Sequence, residues 1–484
     1  MQLARGWIQK RAAIDGEKIA LQDIASKRQW TYTELVQEAS KWQQLFAQQG
    51  VQSGDRIALL AFNRIDYFSV LFACEASGII FVPFNWRLSN DEWQQLIEDC
   101  TPTLLLYDEA FAPYIDALHQ VTCIPFVTPA IAPKRLILQP AASCWQLIYT
   151  GGTTGKSKGV MLSYEAVNAN AMNTVTSWGL HANDCTVNYM PLFHTGGLNA
   201  LSLPVLLAGG TVVIGHKFQP EEASQALESY KATIALFVPT MYQAMFETFH
   251  FQHATFSSMR VFLSGGAPCP KTVYDQFAKK NLAFKEGYGL SEAGPNNFVI
   301  SPEIARQKQG AVGQPMLLNE CKIRRIDGAH CLPEEVGELY VKGPHVFSGY
   351  WQNEAATKEA LQDGWLKTGD LARMDEDGDV FIVGRAKDMI ICGGENIYPQ
   401  EIEACIAALS FVQEVAVVGM PDAYWGEVVT AYVVTTYPSR EVEKQIRLHC
   451  EQMLSKYKVP KKIIFIDKLP TTAVGKVDKK ALVQ

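Results

Sequence analysis

The feature that most constrains the fold is a repeated alternation of short apolar runs with helical stretches. Between residues 55 and 130, Arg56–Phe62 and Ile79–Phe84 predict strands, and Ile65–Ser77 between them predicts a helix. The rhythm continues in the strands Leu104–Tyr107 and Cys123–Val127, and returns as strand Thr211–Ile214, helix Pro220–Tyr230, strand Thr233–Val238, helix Pro239–Phe249 and strand Val261–Ser264. Such alternation is typical of βαβ units and predicts more than one largely parallel sheet.

The remainder of the chain changes character twice. After residue 295, shorter strands are separated by turns such as Asp327-Gly328 and Asp377-Gly378, which favours an antiparallel or barrel-like part. From about residue 386 the pattern indicates a separate small α+β domain, entered through a short charged segment at residues 385–388. We therefore expect an α/β protein with a large N-terminal domain of layered sheets and helices (residues 1–384: two βαβ-type subdomains plus a distorted β-barrel), a hinge (385–388) and a small α+β C-terminal domain (389–484).

Composition excludes several classes of function. The 43 Lys and Arg against 50 Asp and Glu leave a net charge of -7, which disfavours binding to nucleic acid or to anionic membranes. Glu75 interrupts the longest apolar stretch, Tyr67–Phe84, so this stretch predicts a buried helix and strand and not a membrane span. We expect a cytoplasmic protein without an integral membrane segment, and leave open a homodimer.

The strongest local motif is a loop that follows the apolar run Trp145–Tyr149. It reads Thr150-Gly151-Gly152-Thr153-Thr154-Gly155-Lys156-Ser157-Lys158-Gly159. Glycines let successive N–H groups face one point, and hydroxyl and ammonium groups add donors, so the loop is suited to phosphates. A Walker A loop is excluded because the interval from Gly151 to Gly155 is one residue too short. The alternative is a flexible surface loop.

Other clusters are weak when taken singly. Ser264-Gly265-Gly266-Ala267-Pro268 and Gly287-Tyr288-Gly289-Leu290-Ser291-Glu292 are both glycine-rich turns at strand ends. The Tyr288 ring could face a base, and the Glu292 carboxylate could hold Mg²⁺. Asp370 is the kind of acceptor that binds ribose hydroxyls, whereas Lys476 in a terminal loop is by itself an ordinary solvated lysine.

In order and spacing these motifs resemble the AMP-forming acyl-activating superfamily, which includes acyl-CoA synthetases, firefly luciferase and peptide-synthetase adenylation domains. The resemblance covers almost the whole chain. It rests on the loop at 149–160, Pro191-Leu192-Phe193-His194, the motif at 287–292, Thr368-Gly369-Asp370, Gly384-Arg385, Gly393-Gly394-Glu395 and Gly475-Lys476. It implies a C-terminal domain that rotates about the hinge, and an enzyme that uses ATP, Mg²⁺ and coenzyme A.

The resemblance also implies residue roles. Thr150 to Lys158 would hold the β- and γ-phosphates, with Thr150 and Glu292 at the metal; Ser291 would contact the α-phosphate. The nucleoside would be bound by Gly265, Gly266, Ala267, Pro268, Gly287, Tyr288 and Gly289, and its ribose by Asp370 and Arg385. His194 would be an aromatic gate beside the acyl carboxylate, although a packed interior histidine is the alternative. Lys476 would bridge the carboxylate and the α-phosphate; after rotation about Lys387, Gly393, Gly394 and Glu395 would replace it and line the pantetheine tunnel.

The reaction implied is carboxylic acid and ATP to acyl-AMP and pyrophosphate, then CoA to acyl-CoA and AMP. A stand-alone adenylating enzyme that loads a carrier protein is the alternative, and a non-enzymatic binding protein is disfavoured because Lys476 and Glu292 are present. The expected pocket segments, Asn188–Asn199, Phe237–Gln243, Ser264–Ala267 and Gly287–Asn297, hold no cation for a second carboxylate. A fatty or other apolar acid is therefore the first expectation, and an aryl acid or o-succinylbenzoate the alternative.

Overall fold

The computed structural model describes residues 5–141, 143–150, 157–325, 327–392, 395–422, 424–472 and 477–483. Most of the strands within these ranges belong to the long N-terminal part. They are β1 (Ile19–Asp23), β2 (Gln29–Thr31), β3 (Arg56–Leu60), β4 (Ile80–Pro83), β5 (Leu104–Tyr107), β6 (Thr122–Pro125), β7 (Cys144–Thr150), β8 (Lys158–Ser163), β9 (Cys185–Asn188), β10 (Thr211–Ile214), β11 (Ile234–Phe237), β12 (Val261–Ser264), β13 (Phe284–Glu286), β14 (Phe298–Val299), β15 (Ala311–Pro315), β16 (Glu320–Arg324), β17 (Gly337–Lys342), β18 (Gly349–Tyr350), β19 (Leu361–Gln362), β20 (Trp365–Met374) and β21 (Val380–Arg385).

The helices of the same part alternate with these strands. They are α1 (Trp7–Asp15), α2 (Tyr32–Gln48), α3 (Asp66–Ser77), α4 (Asn90–Cys100), α5 (Ala112–Ile115), α6 (Tyr164–Trp178), α7 (Thr195–Gly197), α8 (Leu203–Ala208), α9 (Pro220–Ser229), α10 (Pro239–Phe246), α11 (Phe249–His253), α12 (Lys271–Lys279), α13 (Pro302–Gln307) and α14 (Glu354–Ala360). Between α7 and α8 the chain forms a π-helical turn, Leu198–Ser202.

The N-terminal part contains more than one largely parallel sheet, as the alternation of strands and helices predicts. Its sheets fall into two groups. One sheet has the order β18-β8-β7-β4-β3-β5-β6, in which β4, β3, β5 and β6 run parallel. The second system consists of the sheet β2-β1-β10-β9 and the parallel sheet β11-β12-β13. Helix α3 is buried from Asp66 to Ala76, including Glu75, because it is enclosed by the main apolar core.

The antiparallel part follows at the predicted place. Among the described residues its sheet has the order β14-β15-β21-β20-β17-β16, with β19 paired to β20. This sheet brings Asp370 on β20 opposite Arg385 at the end of β21. It therefore joins the large domain to the segment that leads into the C-terminal region.

The C-terminal region has a core of its own. Its elements are β22 (Ile390–Cys392), β23 (Glu395–Ile397), α15 (Pro399–Ala407), β24 (Val412–Asp422), β25 (Gly426–Thr435), α16 (Arg440–Met453), β26 (Lys462–Phe465) and α17 (Lys479–Val483). Residues such as Ile402, Val417, Val433 and Ile446 pack there into a separate apolar cluster. In the part of the chain that the structure describes, no helix is long and apolar enough to cross a membrane.

Candidate active site

The two described ends of the predicted phosphate loop lie opposite each other. Thr150 ends β7, Lys158 begins β8, and the two are antiparallel partners. A Cβ atom on Gly159 would lie 2.9 Å from Leu147 Cδ1 and 3.1 Å from Trp351 Cβ, so this position favours glycine. Gly151, Gly152, Thr153, Thr154, Gly155 and Lys156 lie outside the described residues. The hairpin thus fixes where the loop leaves and re-enters the sheet.

Glu292 meets the end of this loop through Tyr350, a residue that the sequence reasoning missed. The Tyr350 hydroxyl donates a hydrogen bond of 2.9 Å to Glu292 Oε1, and Lys158 Nζ lies 4.9 Å from the centroid of the same ring. Burial and the Glu292 charge raise the pKa of Tyr350, so its hydroxyl remains a donor. Tyr350 is placed beside Glu292 by the antiparallel pairing of Tyr350 with Val160. This pairing is a long-range strand contact, which the sequence alone does not show.

The oxygen donors here fit Mg²⁺ held jointly with a substrate. Within the described residues no group of three or more His, Cys, Asp or Glu side chains could hold a metal ion alone. Mg²⁺ is commonly bound by one or two carboxylates together with substrate phosphates, and it keeps several waters. Glu292, one of whose carboxylate oxygens accepts from Tyr350, and the Thr150 hydroxyl at the loop end offer this donor type.

Tyr288, Asp370 and Arg385 form one connected group. The Tyr288 hydroxyl donates to Asp370 Oδ2 at 2.5 Å, and Arg385 Nε lies 2.6 Å from Asp370 Oδ1. Burial and the Asp370 charge raise the pKa of Tyr288 well above its usual value, so the phenol stays protonated. The predicted adenine-stacking residue and the two predicted ribose-binding residues are therefore brought together, although Tyr288 and Asp370 are 82 positions apart in the sequence.

The two glycine-rich turns lie against each other beside this group. The Gly287 N–H donates to the Ser264 carbonyl at 2.8 Å, and a Cβ atom on Gly265 would lie 3.4 Å from the Gly287 carbonyl oxygen. Gly266, Ala267 and Pro268 are exposed, as the rim of a pocket would be. A Cβ atom on Gly289 would lie 2.1 Å from the Pro295 carbonyl oxygen, so only glycine fits there.

His194 caps the short helix that begins one wall of a cavity. Its Nδ1 accepts a hydrogen bond of 3.1 Å from the Gly196 N–H, which places the proton of the neutral ring on Nε2. The wall approaches the preceding backbone closely, since a Cβ atom on Gly197 would lie 2.2 Å from the Pro191 carbonyl oxygen. The cavity is lined by Thr186, Val187, Asn188, Met190, Gly196, Gly197, Leu201 and Leu236.

Ser291, the predicted α-phosphate contact, lies in the same turn as Glu292. It begins a 3₁₀ turn, Ser291–Ala293, and is 4% exposed. The carbonyl of the next residue, Glu292, accepts from the Phe347 N–H at 2.8 Å, which fastens the turn to the strand segment that carries Tyr350.

The structure describes only some of the residues that were predicted to act from the C-terminal region. Lys387 lies in a 3₁₀ turn, Ala386–Asp388. Partial desolvation and the neighbouring Arg385 and Lys480 lower the pKa of its ammonium, while Asp388 acts in the opposite direction. Glu395 begins β23 and is exposed. Gly393, Gly394 and Lys476 lie outside the described residues.

One buried lysine lies outside the expected pocket segments. Lys285 on β13 is 6% exposed, and its Nζ lies 4.7 Å from the Trp178 ring centroid. Burial, together with the positive charge of Arg260, lowers the pKa of Lys285 to about 8. The expected pocket segment begins at Gly287, two residues after Lys285.

These elements define an adenylate-forming enzyme, and comparisons with known proteins agree. The AMP-binding enzyme family matches residues 8–351, and the C-terminal domain of AMP-binding enzymes matches residues 401–476. The chain belongs to the AMP-binding enzyme family.

Characterised relatives resemble it over nearly its full length. It is 37% identical to a feruloyl-CoA synthase from an Amycolatopsis species, over 93% of this chain and 92% of the relative. It is 34% identical to an indoleacetate–CoA ligase from Aromatoleum aromaticum, over 98% and 96%. The structure of o-succinylbenzoate CoA synthetase from Bacillus subtilis, in complex with its acyl-adenylate, superposes with a TM-score of 0.90, 31% identity and coverage of 99% and 98%. The predicted class is confirmed: the protein is an ATP-dependent, AMP-forming acid–CoA ligase that uses Mg²⁺.

Proposed function

We propose that this protein activates an aromatic or other apolar carboxylic acid, with the predicted site residues in the roles given below. The observation that carries the proposal is the connected set Tyr288–Asp370–Arg385, beside the glycine turns and the loop ends. The named relatives act on aromatic acids, which favours our aryl-acid alternative over a fatty acid. A half-buried Leu236 and a cavity bordered by Met190 and Leu201 suit an apolar substrate.

In the first half-reaction a carboxylate oxygen attacks the α-phosphate and pyrophosphate leaves. Two anions must approach each other, so fixed donors and cations are the main catalytic resource. Tyr288 presents its ring to the adenine, while Asp370 accepts from the ribose hydroxyls and Arg385 keeps the Asp370 carboxylate oriented. Lys158 and the loop that it ends bind the departing phosphates.

Three further residues act at the reacting atoms. Glu292 and Thr150 would hold Mg²⁺, which neutralises phosphate charge when bound. Ser291 donates to the α-phosphate. His194 closes the acyl side of the site, and its Nε2–H is the proton available to a carboxylate oxygen of the substrate. Lys476 bridges the carboxylate and the α-phosphate.

In the second half-reaction the thiol of CoA attacks the acyl-AMP carbonyl, and AMP leaves. We propose that residues 389–484 rotate about Lys387, so that Gly393, Gly394 and Glu395 replace Lys476 and line the thiol path. The surface of the C-terminal region offers a place for the CoA nucleotide: Trp425 is 40% exposed and Lys461 Nζ lies 3.9 Å from its ring centroid. The neighbouring lysine Lys458 already forms an ion pair within the chain, because its Nζ lies 2.8 Å from Glu401 Oε1.

The test is pyrophosphate release with MgATP across a panel of carboxylic acids, each with and without CoA. The panel contains cinnamates, indoleacetate, arylalkanoates and fatty acids of increasing length. Multiple turnover that depends on CoA and is fastest with aromatic acids supports the proposal. Release of about one equivalent despite CoA points instead to a carrier-protein acceptor. Faster turnover of long fatty acids than of any aromatic acid refutes the substrate class.

A further inference from the structure

Buried asparagine side chains hold the π-helical turn Leu198–Ser202, which follows the His194 turn. Three amide groups, each from a different element, donate to carbonyls of this turn or of the residue before it. They are Asn188 Nδ2 at the end of β9 to Gly197 at 2.7 Å, Asn170 Nδ2 on α6 to Asn199 at 3.1 Å, and Asn296 Nδ2 to Ala200 at 2.8 Å. Since a π turn departs from the regular helical hydrogen-bond pattern, these donors help to fix where its carbonyls lie.

The π turn is also tied to two neighbouring parts of the site. Asn199 Nδ2 donates to Gln146 Oε1 at 2.8 Å and to Thr195 Oγ1 at 3.0 Å. Gln146 lies on β7, the strand that ends at Thr150, and Thr195 is the residue after His194. A single side chain therefore connects the strand before the phosphate loop with the proposed acyl gate.

These amide groups lie where apolar side chains would pack at a lower cost. Four of them are fully enclosed, and the most accessible of the four, Asn296, is 3% exposed; the others are Gln146, Asn170 and Asn199. Asn170 Oδ1, Asn199 Oδ1 and Gln146 Nε2 have no hydrogen-bond partner among the described residues. A buried polar atom without a partner destabilises a fold. Such a cost is typical of a polar network that is kept for the geometry it imposes near a functional site.

Asn296 joins this network to the turn that carries Tyr288. Its Nδ2 donates to Thr174 Oγ1 on α6 at 2.9 Å, as well as to the Ala200 carbonyl. Its neighbour along the chain, Asn297, donates its backbone N–H to the Tyr288 carbonyl at 3.0 Å. A shift of the Tyr288 turn therefore moves the donor that holds the π turn.

The segment that carries Asn296 is fastened to the Tyr288 turn at two further points. The Leu290 N–H donates to the Gly294 carbonyl at 3.2 Å. A Cβ atom on Gly289 would lie 2.1 Å from the Pro295 carbonyl oxygen, so the two backbones are in close contact. The two segments therefore have little room to move independently.

We propose that Asn296 is a positioning residue that couples the two substrate sites, so that MgATP and the acid each strengthen the binding of the other. The inference rests on the proposed function, which places the nucleotide at Tyr288 and the acid beside His194. A nucleotide that packs on Tyr288 fixes the Asn296 amide, and this amide fixes the Ala200 carbonyl and with it the wall on the acid side. Such coupling is reciprocal, because the same free energy enters both binding equilibria.

The test is equilibrium titration of the full chain with the acid that gives the fastest pyrophosphate release in the panel, with and without α,β-methylene-ATP and Mg²⁺. The methylene bridge prevents pyrophosphate from leaving, so both ligands bind without reaction. For the wild type we expect the analogue to lower the Kd of the acid at least about fivefold, and the acid to lower the Kd of the analogue by the same factor. In Asn296→Ala this factor should fall below about twofold, because the Ala200 and Thr174 oxygens lose their common donor.

Asn173→Ala is the matched control. Asn173 is another buried amide on α6, and in the part of the chain that the structure describes its side chain bonds to Asn319, Ser177 and Leu318 and not to the π turn. This variant should lower Tm about as much as Asn296→Ala does and keep the coupling factor. Thr174→Val keeps the side-chain shape and removes one acceptor of Asn296, so it should reduce the factor part way, and it decides the question should Asn296→Ala not fold.

Three results would overturn the inference and leave the ligase intact. One is a wild-type Kd for the acid that is the same with and without the analogue. Another is a coupling factor that is undiminished in Asn296→Ala, or in Thr174→Val where that variant decides. The third is a factor that falls equally in Asn173→Ala, which would show a general loosening of the core. Absence of pyrophosphate release with every acid overturns the proposed function, and this inference with it.

Discussion

Replacing Glu292 by Gln tests the proposed metal ligand with the least disturbance of the fold. The amide keeps an oxygen that can accept the 2.9 Å hydrogen bond from Tyr350, so packing around the turn should persist. What is lost is one negative charge beside the phosphates. A unit charge pair 4 Å apart near a protein surface interacts by about 4 kcal/mol, and loss of one transition-state electrostatic contact typically costs about 2.7 to 4 kcal/mol. We therefore expect adenylation to fall about 10²- to 10³-fold.

The matched control is Tyr350→Phe, which keeps the carboxylate and removes only the bond that orients it. A hydrogen bond to a charged group contributes about 1.5 to 3 kcal/mol when buried, and less at this half-buried position, so a loss of about fivefold is expected. The assay is pyrophosphate release at saturating acid over a series of Mg²⁺ concentrations. Glu292→Gln should need more Mg²⁺ for half-maximal rate, and Tyr350→Phe only slightly more. A Glu292→Gln protein with unchanged Mg²⁺ dependence and less than about a fivefold loss would refute the assignment.

Three further outcomes are expected. Lys476→Ala should nearly abolish adenylation and spare thioester formation from pre-made acyl-AMP; equal loss of both half-reactions, measured separately, contradicts its role. Gly394→Leu should spare pyrophosphate release with acid and ATP and abolish acyl-CoA formation, so an intact thioester rate argues against the proposed thiol path. Glu75→Gln should raise Tm relative to the wild type, and by most at alkaline pH. Burial raises the pKa of Glu75 to about 7, so the folded state holds a proton that the unfolded state releases. The free energy of unfolding of the wild type therefore falls by about 3 kcal/mol between about pH 4.5 and 7. A Tm difference between variant and wild type that does not grow from pH 5 to pH 8 would be evidence against that burial cost.

The sequence predicted the buried strands more accurately than the exposed ones. Leu104–Tyr107 and Val261–Ser264 have the predicted bounds because each is a continuous apolar run that ends where burial ends. In the small C-terminal domain the apolar run Val415–Val418 predicts a short strand, whereas the structure has the longer β24, Val412–Asp422, of which only the centre is buried. Its polar ends are held by pairing with β25, and backbone hydrogen bonds leave no mark in the hydrophobic pattern.

The sequence predicted individual residues of the site, but not the hydrogen bond and the ion pair that connect them. Each of Tyr288, Asp370 and Arg385 was identified from its own motif, but the bonds among them depend on the pairing of β20 with β21 and on how this sheet meets the turn at 288. Tyr350 carries no motif of its own, and β13, the strand that carries Lys285, was not predicted. Side chains that act through tertiary packing are therefore the ones that single-sequence reasoning missed.

The π-helical turn Leu198–Ser202 is a point in the cavity wall at which the length of the chain can change. A π turn contains one residue more than a regular helix would, and each helical residue rotates its neighbours by about 100°. Its two ends are held independently, at one end by the hydrogen bond from Asn188 Nδ2 to the Gly197 carbonyl and at the other by the continuing helix α8. Deleting one residue would turn the cavity-facing end relative to α8 and move Leu201, which lines the cavity, in one mutational step. A change of chain length at this turn would therefore reshape the cavity wall in a way that a single substitution cannot.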